Sequence, residues 1–327
     1  MKKSAATVLL NWNGWRDTLE CLDSLLKLSD AASNLIVIVD NASSDDSIAQ
    51  IKAWFAHKAL PLATFEEGRE ADNVAPEPRF VLIQANCNGG FARGNNVGIR
   101  YAQRRKADYV WLLNNDTVVE PDTLSTMIEK MESDKGIGIC GSILRYYDNK
   151  KLIQAVGGVK YNFLRAMGRQ ICEGLNYDNP QVSAVNDQDL TYVSGASMLT
   201  RLEFLEDVGL MEESYFLYYE EIDWMSRAGG RWRCAFAPES VVYHKEGGSI
   251  GTQSLRKRSL LSQYYLNRNL IRYAWLRRPS MLPIAVARGL KEILNCLLQR
   301  DFARASTTTK ALIHGLALRK GPVKGRL

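Results

Sequence analysis

The chain has 327 residues, 46% of them hydrophobic and 24% charged, a globular composition that excludes disorder and fibrous repeats. Its six cysteines show no CxxC or comparable metal spacing, which excludes a disulfide framework or zinc site and points to a reducing cytoplasm. The net charge of +6 is unevenly placed: residues 255–327 hold sixteen Lys and Arg against two Asp and Glu, leaving 26 basic and 34 acidic residues in the remainder.

The chain begins with Met1-Lys2-Lys3 and a short apolar run ending in Asn11-Trp12-Asn13-Gly14, too short for a signal peptide and better read as a first strand. Four such runs, at 7–10, 35–39, 80–83 and 109–113, are rich in Val, Ile, Leu and aromatics without polar alternation, as expected of strands buried on both faces of a parallel sheet. Helical patterns separate them: Leu19, Leu22 and Leu26, then Ile48, Ile51 and Phe55, then Val97 and Tyr101. A further helix has Pro121 near its first turn and Leu124, Met127, Ile128 and Met131 on one face. Alternating strands and helices predict an α/β, doubly wound, mostly parallel sheet.

Residues 56–79, with Pro61, Gly68, Pro76, Pro78 and several acids, read as a surface loop inserted before the third strand. After Asp148 the pattern changes to short strands and turns, a helix at 220–228 and a strand at 240–243. The last segment reads as a basic helical tail. Its most apolar stretch, 281–298, contains Arg288, Lys291 and Glu292 and falls short of the roughly 18 apolar residues a membrane span requires. The expected organisation is one domain over 1–255, with halves at 1–140 and 141–255, followed by an extension at 256–327.

In open α/β sheets ligands bind beyond the carboxyl ends of the strands. Here those ends carry Asn11 and Asn13, then Asp40 to Asp46, then Asn88-Gly89-Gly90-Phe91, then Asn114-Asn115-Asp116. Any one of these could be an ordinary cap or turn; four converge on one edge. No GxGxxG follows the first strand and no GxxxxGK[ST] occurs, so phosphate charge must be met in another way. Asp116, an acid at the tip of a buried strand, suits a divalent ion with oxygen ligands that bridges a diphosphate.

Together these strings resemble the family-2 glycosyltransferases, in their rhamnosyltransferase-like branch. The resemblance continues through Val193-Ser194-Gly195-Ala196, Val208 to Glu213, Phe216 to Trp224 and Tyr243-His244 to Gly248-Ser249, covering roughly residues 5 to 275. It implies the GT-A fold, with 1–140 as its nucleotide-binding half and 141–255 as its acceptor and catalytic half, Asp40 accepting from the ring N–H of a pyrimidine and Asn11 lining the same pocket. Asn13, Asn88, Gly89, Gly90, Asn95, Asn114, Asn115 and Asp116 complete the implied nucleotide site. Asn114 and Asp116 occupy the family's D-x-D positions, so Asp116 is left as the main carboxylate for Mg²⁺ or Mn²⁺, with His244 as a second metal ligand. Arg93 could add positive charge near the diphosphate.

Glu220, Glu221 and Asp223 put three acids within four residues after an aromatic run, a grouping that raises pKa values. The resemblance places Glu221 as the catalytic base, with Gly195, Ala196, Glu220, Asp223, Trp224 and Arg227 on the acceptor side or in support. On a helix Glu220 and Asp223 share a face with Arg227, so an ion pair is expected for both, with Glu221 turned toward the acceptor.

The implied function is an inverting glycosyltransferase that moves a sugar, rhamnose as first guess, from a dTDP- or UDP-sugar to a hydroxyl of a cell-surface or lipid-linked glycan. The expected place is the cytoplasm, with peripheral contact on the inner membrane face through the basic tail. Nucleic acid is not an expected partner, because the tail has no base-reading motif. A sugar nucleotidyltransferase would need a Gly-rich, cationic phosphate loop after the first strand, and Asn11-Trp12-Asn13-Gly14 does not supply one. A non-catalytic sugar-nucleotide-binding protein is the remaining alternative, which intact Asp40, Asp116, Glu221 and His244 oppose.

Overall fold

A computed structural model describes residues 3–70, 78–245 and 259–323. The expected Gly247-Gly248-Ser249 motif, Pro76 and the basic run Arg256-Lys257-Arg258 lie outside the described residues.

The first strand, β1 (Ala5–Asn11), leads through α1 (Trp15–Leu25) to the parallel β2 (Asn34–Asp40), with Asn11 directly opposite Asp40. Helix α2 (Ser47–His57) follows. The segment expected as a loop contains a further strand, β3 (Ala63–Glu66), which pairs in parallel with β4 (Phe80–Gln84) and forms the sheet edge. Its four residues alternate between half-buried and exposed, so it lacks the continuous apolar run that marks the interior strands. Helix α3 (Gly90–Arg104) then leads to β5 (Tyr109–Asn114), which pairs with the other side of β1. The order β3-β4-β2-β1-β5 therefore reverses direction beside β1, and the ends of β1, β2 and β5 border the crevice where ligands bind in such sheets.

The chain continues through β6 (Thr117–Val119), α4 (Thr123–Ser133), β7 (Ile137–Tyr146) and β8 (Ile153–Val156). A small separate sheet is made by β9 (Gly158–Asn162), β10 (Met167–Gln170) and, after α5 (Pro180–Ser183), β11 (Tyr192–Val193). Strand β12 (Ser197–Arg201) then enters the main sheet antiparallel between β5 and β7. After α6 (Leu202–Val208) and α7 (Glu220–Ala228) comes β13 (Arg233–His244), which extends the expected strand at 240–243 and pairs with β7 and β6. The second half thus continues the sheet of the first.

Successive residues along the interior strands serve opposite faces. Leu9, Ile36, Ile38, Leu82 and Trp111 pack with Leu22, Ile51 and Met127 on one side. Val8, Val37, Val39, Val81 and Leu112 pack with Val97, Tyr101, Phe204 and Trp224 on the other. Burial on both sides explains why these strands read as unbroken apolar runs.

Three helices complete the fold: α8 (Leu260–Arg277), α9 (Leu282–Leu298) and α10 (Phe302–Leu316). They share a core with Tyr215 and Ile222, so the C-terminal extension packs directly on the loop that precedes α7. Part of its positive charge is internal: Arg268 and Arg272 are buried. No helix among the described residues is long and apolar enough to cross a membrane.

Candidate active site

At the carboxyl ends of β1 and β2, Asp40 is buried; its Oδ2 accepts from Asn11 Nδ2 at 2.8 Å and Ser43 Oγ at 2.7 Å, and its Oδ1 from the Ser43 N–H at 2.9 Å. One lone pair of Oδ1 is left for a further donor. Asn11 is held in turn by Thr18, whose hydroxyl donates to its Oδ1 at 2.8 Å. Asn13, at φ 51°, accepts the Ser44 N–H at 2.8 Å and braces the 43–45 turn.

The third strand end is organised by Asn41, which sequence reasoning did not single out. Its Nδ2 donates to Asn88 Oδ1 at 3.1 Å and to the Gly90 carbonyl at 3.3 Å. Gly90 has φ +85°, and a β-carbon there would lie 2.0 Å from the Phe216 carbonyl oxygen, so only glycine fits. The next N–H, of Phe91, donates to that same carbonyl at 2.8 Å. Asn96 Nδ2 donates to the Met211 carbonyl and to Glu213, both at 2.9 Å, while Asn95 only caps the Phe91 carbonyl within α3. These contacts fasten the start of α3 to the 211–219 loop. Arg93 does not face the strand ends, being paired with both carboxylate oxygens of Glu67 at 3.0 Å.

At the end of β5, Asn114 Nδ2 stands 3.5 Å from His244 Nε2, whereas Asn115 turns away and donates to Thr18 Oγ1 at 3.0 Å and the Gly14 carbonyl at 3.3 Å. Asp116 and His244 are both buried, with Asp116 Oδ1 3.1 Å from His244 Nε2. Gln154 of β8, also unforeseen, places its Oε1 2.9 Å from His244 Nδ1. Burial works against the Asp116 carboxylate, but the charge and hydrogen bond of His244 outweigh it and hold its pKa below the usual range. An imidazolium would donate to Asp116. A neutral ring with its proton on Nδ1, toward Gln154, instead leaves Nε2 and Oδ1 as converging electron-pair donors, the set a divalent cation requires. Among the described residues no group of three or more His, Cys, Asp and Glu is gathered for a metal. The neighbouring Lys245 is pinned to Asp17 and Glu20, each at 2.5 Å.

The third part of the site is the start of α7, reached through a loop in which Phe216, Tyr218 and Tyr219 all take positive φ (70°, 66° and 79°). That conformation is costly for aromatic residues and persists because the surroundings impose it. From α8, Asn269 Nδ2 donates to the carbonyls of Tyr215 (3.0 Å), Leu217 (2.7 Å) and Tyr218 (3.0 Å), and Arg268 also donates to Tyr215. Asp223 is fully buried between Arg227 Nε (2.9 Å) and Arg277 Nε (2.6 Å) and accepts from Tyr215 OH at 2.8 Å. Arg227 further donates to the carbonyls of Val208 and Leu210, and Trp224, in the core, to that of Gly209.

The expected ion pair with Arg227 therefore forms for Asp223 but not for Glu220. Glu220 is buried, its Oε2 has no hydrogen-bond partner, and burial together with the charge of Glu221 pushes its pKa well above the ordinary value. Glu221 is half-buried with its carboxylate against Gly195, where a β-carbon would lie 2.4 Å from Oε1. Burial raises its pKa, opposed by hydrogen bonds from backbone N–H groups, that of Gly195 included. The following residue, Ala196, accepts the Asn114 N–H at 3.0 Å. Gly195-Ala196 thus joins Glu221 to the strand end that carries Asp116. A carboxylate so placed can accept the proton of a hydroxyl brought to these strand ends.

Comparison with known proteins follows the same lines. The family model described as "Glycosyl transferase family 2" matches residues 7–209. The chain is 26% identical over 191 residues to "Rhamnosyltransferase WbbL" of Escherichia coli (strain K12), covering 56% of this chain and 72% of that protein. It is 26% identical over 156 residues to "dTDP-rhamnosyl transferase RfbF" of Shigella flexneri, where the match spans 48% of this chain and only 48% of the relative. Among solved structures, a mannosyltransferase from Pyrobaculum calidifontis in complex with GDP-Man and Mn²⁺ superposes with a TM-score of 0.55 at 15% identity, covering 97% of this chain and 88% of that one. That likeness is one of fold, the GT-A fold that the sequence motifs resemble.

Proposed function

The chain belongs to glycosyl transferase family 2, and we propose that it is an inverting glycosyltransferase with Glu221 as its base. Glu221 takes the proton from the acceptor hydroxyl, whose oxygen attacks the anomeric carbon opposite the nucleotide. A single displacement inverts that centre and calls for no nucleophilic side chain. The observation that carries this reading is the Gly195-Ala196 link, which ties the base through the Asn114 N–H to the end of β5.

Asp40, with Asn11 and Asn88 beside it, receives the base and ribose end of the donor, and Asp40 Oδ1 accepts a pyrimidine N–H. Asp116 and His244 would hold a divalent cation, Mg²⁺ or Mn²⁺. When bound, such an ion offsets the charge of the departing diphosphate. dTDP-rhamnose is the proposed donor, the sugar supported by both bacterial rhamnosyltransferase relatives and the dTDP carrier by the Shigella flexneri dTDP-rhamnosyl transferase alone, and a cell-surface or lipid-linked glycan is the proposed acceptor.

A thermal-shift screen of nucleoside diphosphates and nucleotide sugars, with and without Mn²⁺ or Mg²⁺, tests the donor side, since a ligand that binds only the folded chain raises its Tm. dTDP-rhamnose should raise Tm most, and only with the ion present. A larger, ion-independent shift from a purine nucleotide would overturn both the donor and the metal assignment.

A further inference from the structure

Eleven large apolar side chains are exposed among the described residues, and nine of them lie between Trp275 and Leu316. Leu290, Leu294 and Leu297 on α9 and Phe302, Ile313 and Leu316 on α10 are each between 45% and 67% exposed. On α9 these residues fall at i, i+4 and i+7, and the exposed Pro283 and Ala287 extend the same line toward its N-terminus, making an apolar stripe of four turns. A soluble surface rarely keeps such a line. The core beneath needs none of it, because α9 meets α10 through another face, where Gly289 abuts Leu312.

That contact also fixes where the stripes point. Helices α9 and α10 form a hairpin joined by three residues, Gln299 to Asp301. Counting 100° per residue, the α9 stripe lies about 120° around from Gly289 and the α10 stripe about 90° around from Leu312, in the same sense. In an antiparallel pair those rotations bring both stripes to one side. The hairpin therefore presents a single two-helix apolar face.

The exposed charges on and just beyond the hairpin have one sign. Lys291, Arg300, Arg319 and Lys320 are exposed and form no ion pair among the described residues. The two acids of the segment, Glu292 and Asp301, are half-buried. Two copies meeting through this face would bring like charges together, whereas an anionic lipid surface satisfies both its apolar and its cationic parts.

We propose that the exposed face of the α9–α10 hairpin docks on an anionic lipid surface, with Leu290, Leu294, Leu297, Phe302, Ile313 and Leu316 entering the headgroup boundary and the four cations meeting lipid phosphates. Because α8 clamps the loop that leads into α7 and Glu221, docking would also fix the direction in which the active-site cleft faces the lipid.

Co-sedimentation of the full chain with phosphatidylcholine vesicles, with and without phosphatidylglycerol, tests this without any sugar present, so its outcome is independent of the transferase reading. The chain should sediment with the anionic vesicles and less so as salt rises. Replacing Leu290, Leu294 and Leu297 together by Glu should weaken binding by at least about tenfold while Tm holds, since these side chains are exposed. If that variant loses Tm, Lys291→Glu with Arg300→Glu carries the test and should also reduce binding. Absent or equal vesicle binding would overturn the proposal. So would a dimer that the leucine variant converts to monomer while neither form binds vesicles, which would assign the face to a second copy.

Discussion

Gly195 leaves the space in which the Glu221 carboxylate sits: a β-carbon at Gly195 would stand 2.4 Å from Glu221 Oε1 and 3.4 Å from Phe91 Cζ. The atom in the way is the end of a flexible side chain, so Gly195→Ala should displace the base at little cost to folding. We expect kcat to fall by at least about tenfold, with donor KM and Tm close to the parent. Steady-state kinetics beside a melting curve checks this, and unchanged kcat would show that Gly195 does not position Glu221.

The clamp from α8 gives a second expectation. Asn269→Ala leaves the Leu217 and Tyr218 carbonyls without their donor, and that of Tyr215 with Arg268 alone, next to three positive-φ aromatic residues. Lost hydrogen bonds to buried groups cost about 1–3 kcal/mol each, so Tm should drop clearly and transfer should fall with it. A chain ending before α8 should lack activity altogether. Full transfer by such a truncated chain would contradict the clamp.

Glu220 and Asp116 should respond to pH with opposite signs. Burial raises the folded-state pKa of Glu220, so its contribution to stability is present at low pH and is lost as pH rises from the unfolded value through the folded one. Glu220→Gln should therefore raise Tm at pH 8 relative to the parent, with the gain vanishing near pH 4. His244 depresses the pKa of Asp116, whose contribution is present at neutral pH and is lost as pH falls through its folded value. Asp116→Asn should accordingly narrow the Tm difference between pH 7 and pH 3. Melting curves of both variants across pH 3–8 decide each sign.

The Asp116 and His244 pair predicts a linked loss of metal response. Asp116→Asn and His244→Ala should each abolish the Mn²⁺-dependent part of nucleotide-induced stabilisation. Gln154→Leu, which removes only the partner of Nδ1, should weaken metal affinity by about 10- to 100-fold. Isothermal titration with Mn²⁺ and a nucleoside diphosphate measures all three, and equal affinity in Asp116→Asn and parent would remove Asp116 from the metal site.

The interior strands were legible because burial on both faces writes them as continuous apolar runs, and the polar residues at their ends therefore stood out together. Strand β3 was hidden because an edge strand of four half-exposed residues has no such run. Gln154 and Asn41 carry no local signal, since each acts through partners distant in sequence. The architecture of the basic tail was not legible for a related reason: a charge count does not say which way a side chain points. Arg268, Arg272 and Asn269 are buried, and α8 is lined with buried polar groups all round, so its sequence shows no apolar stripe. Of the apolar residues on α9, Leu282, Ile284 and Ile293 pack inward, while Leu290, Leu294 and Leu297 are exposed.

The most direct test of the central assignment is Glu221→Gln, with transfer and donor binding measured side by side. The substitution keeps size and hydrogen-bonding capacity but removes the proton acceptor, so turnover should fall by about 10²- to 10⁴-fold while donor Kd and Tm stay near parental. Near-parental turnover in Glu221→Gln would contradict the assignment. Loss of chemistry in Glu220→Gln alone, at unchanged Tm, would move the base to Glu220.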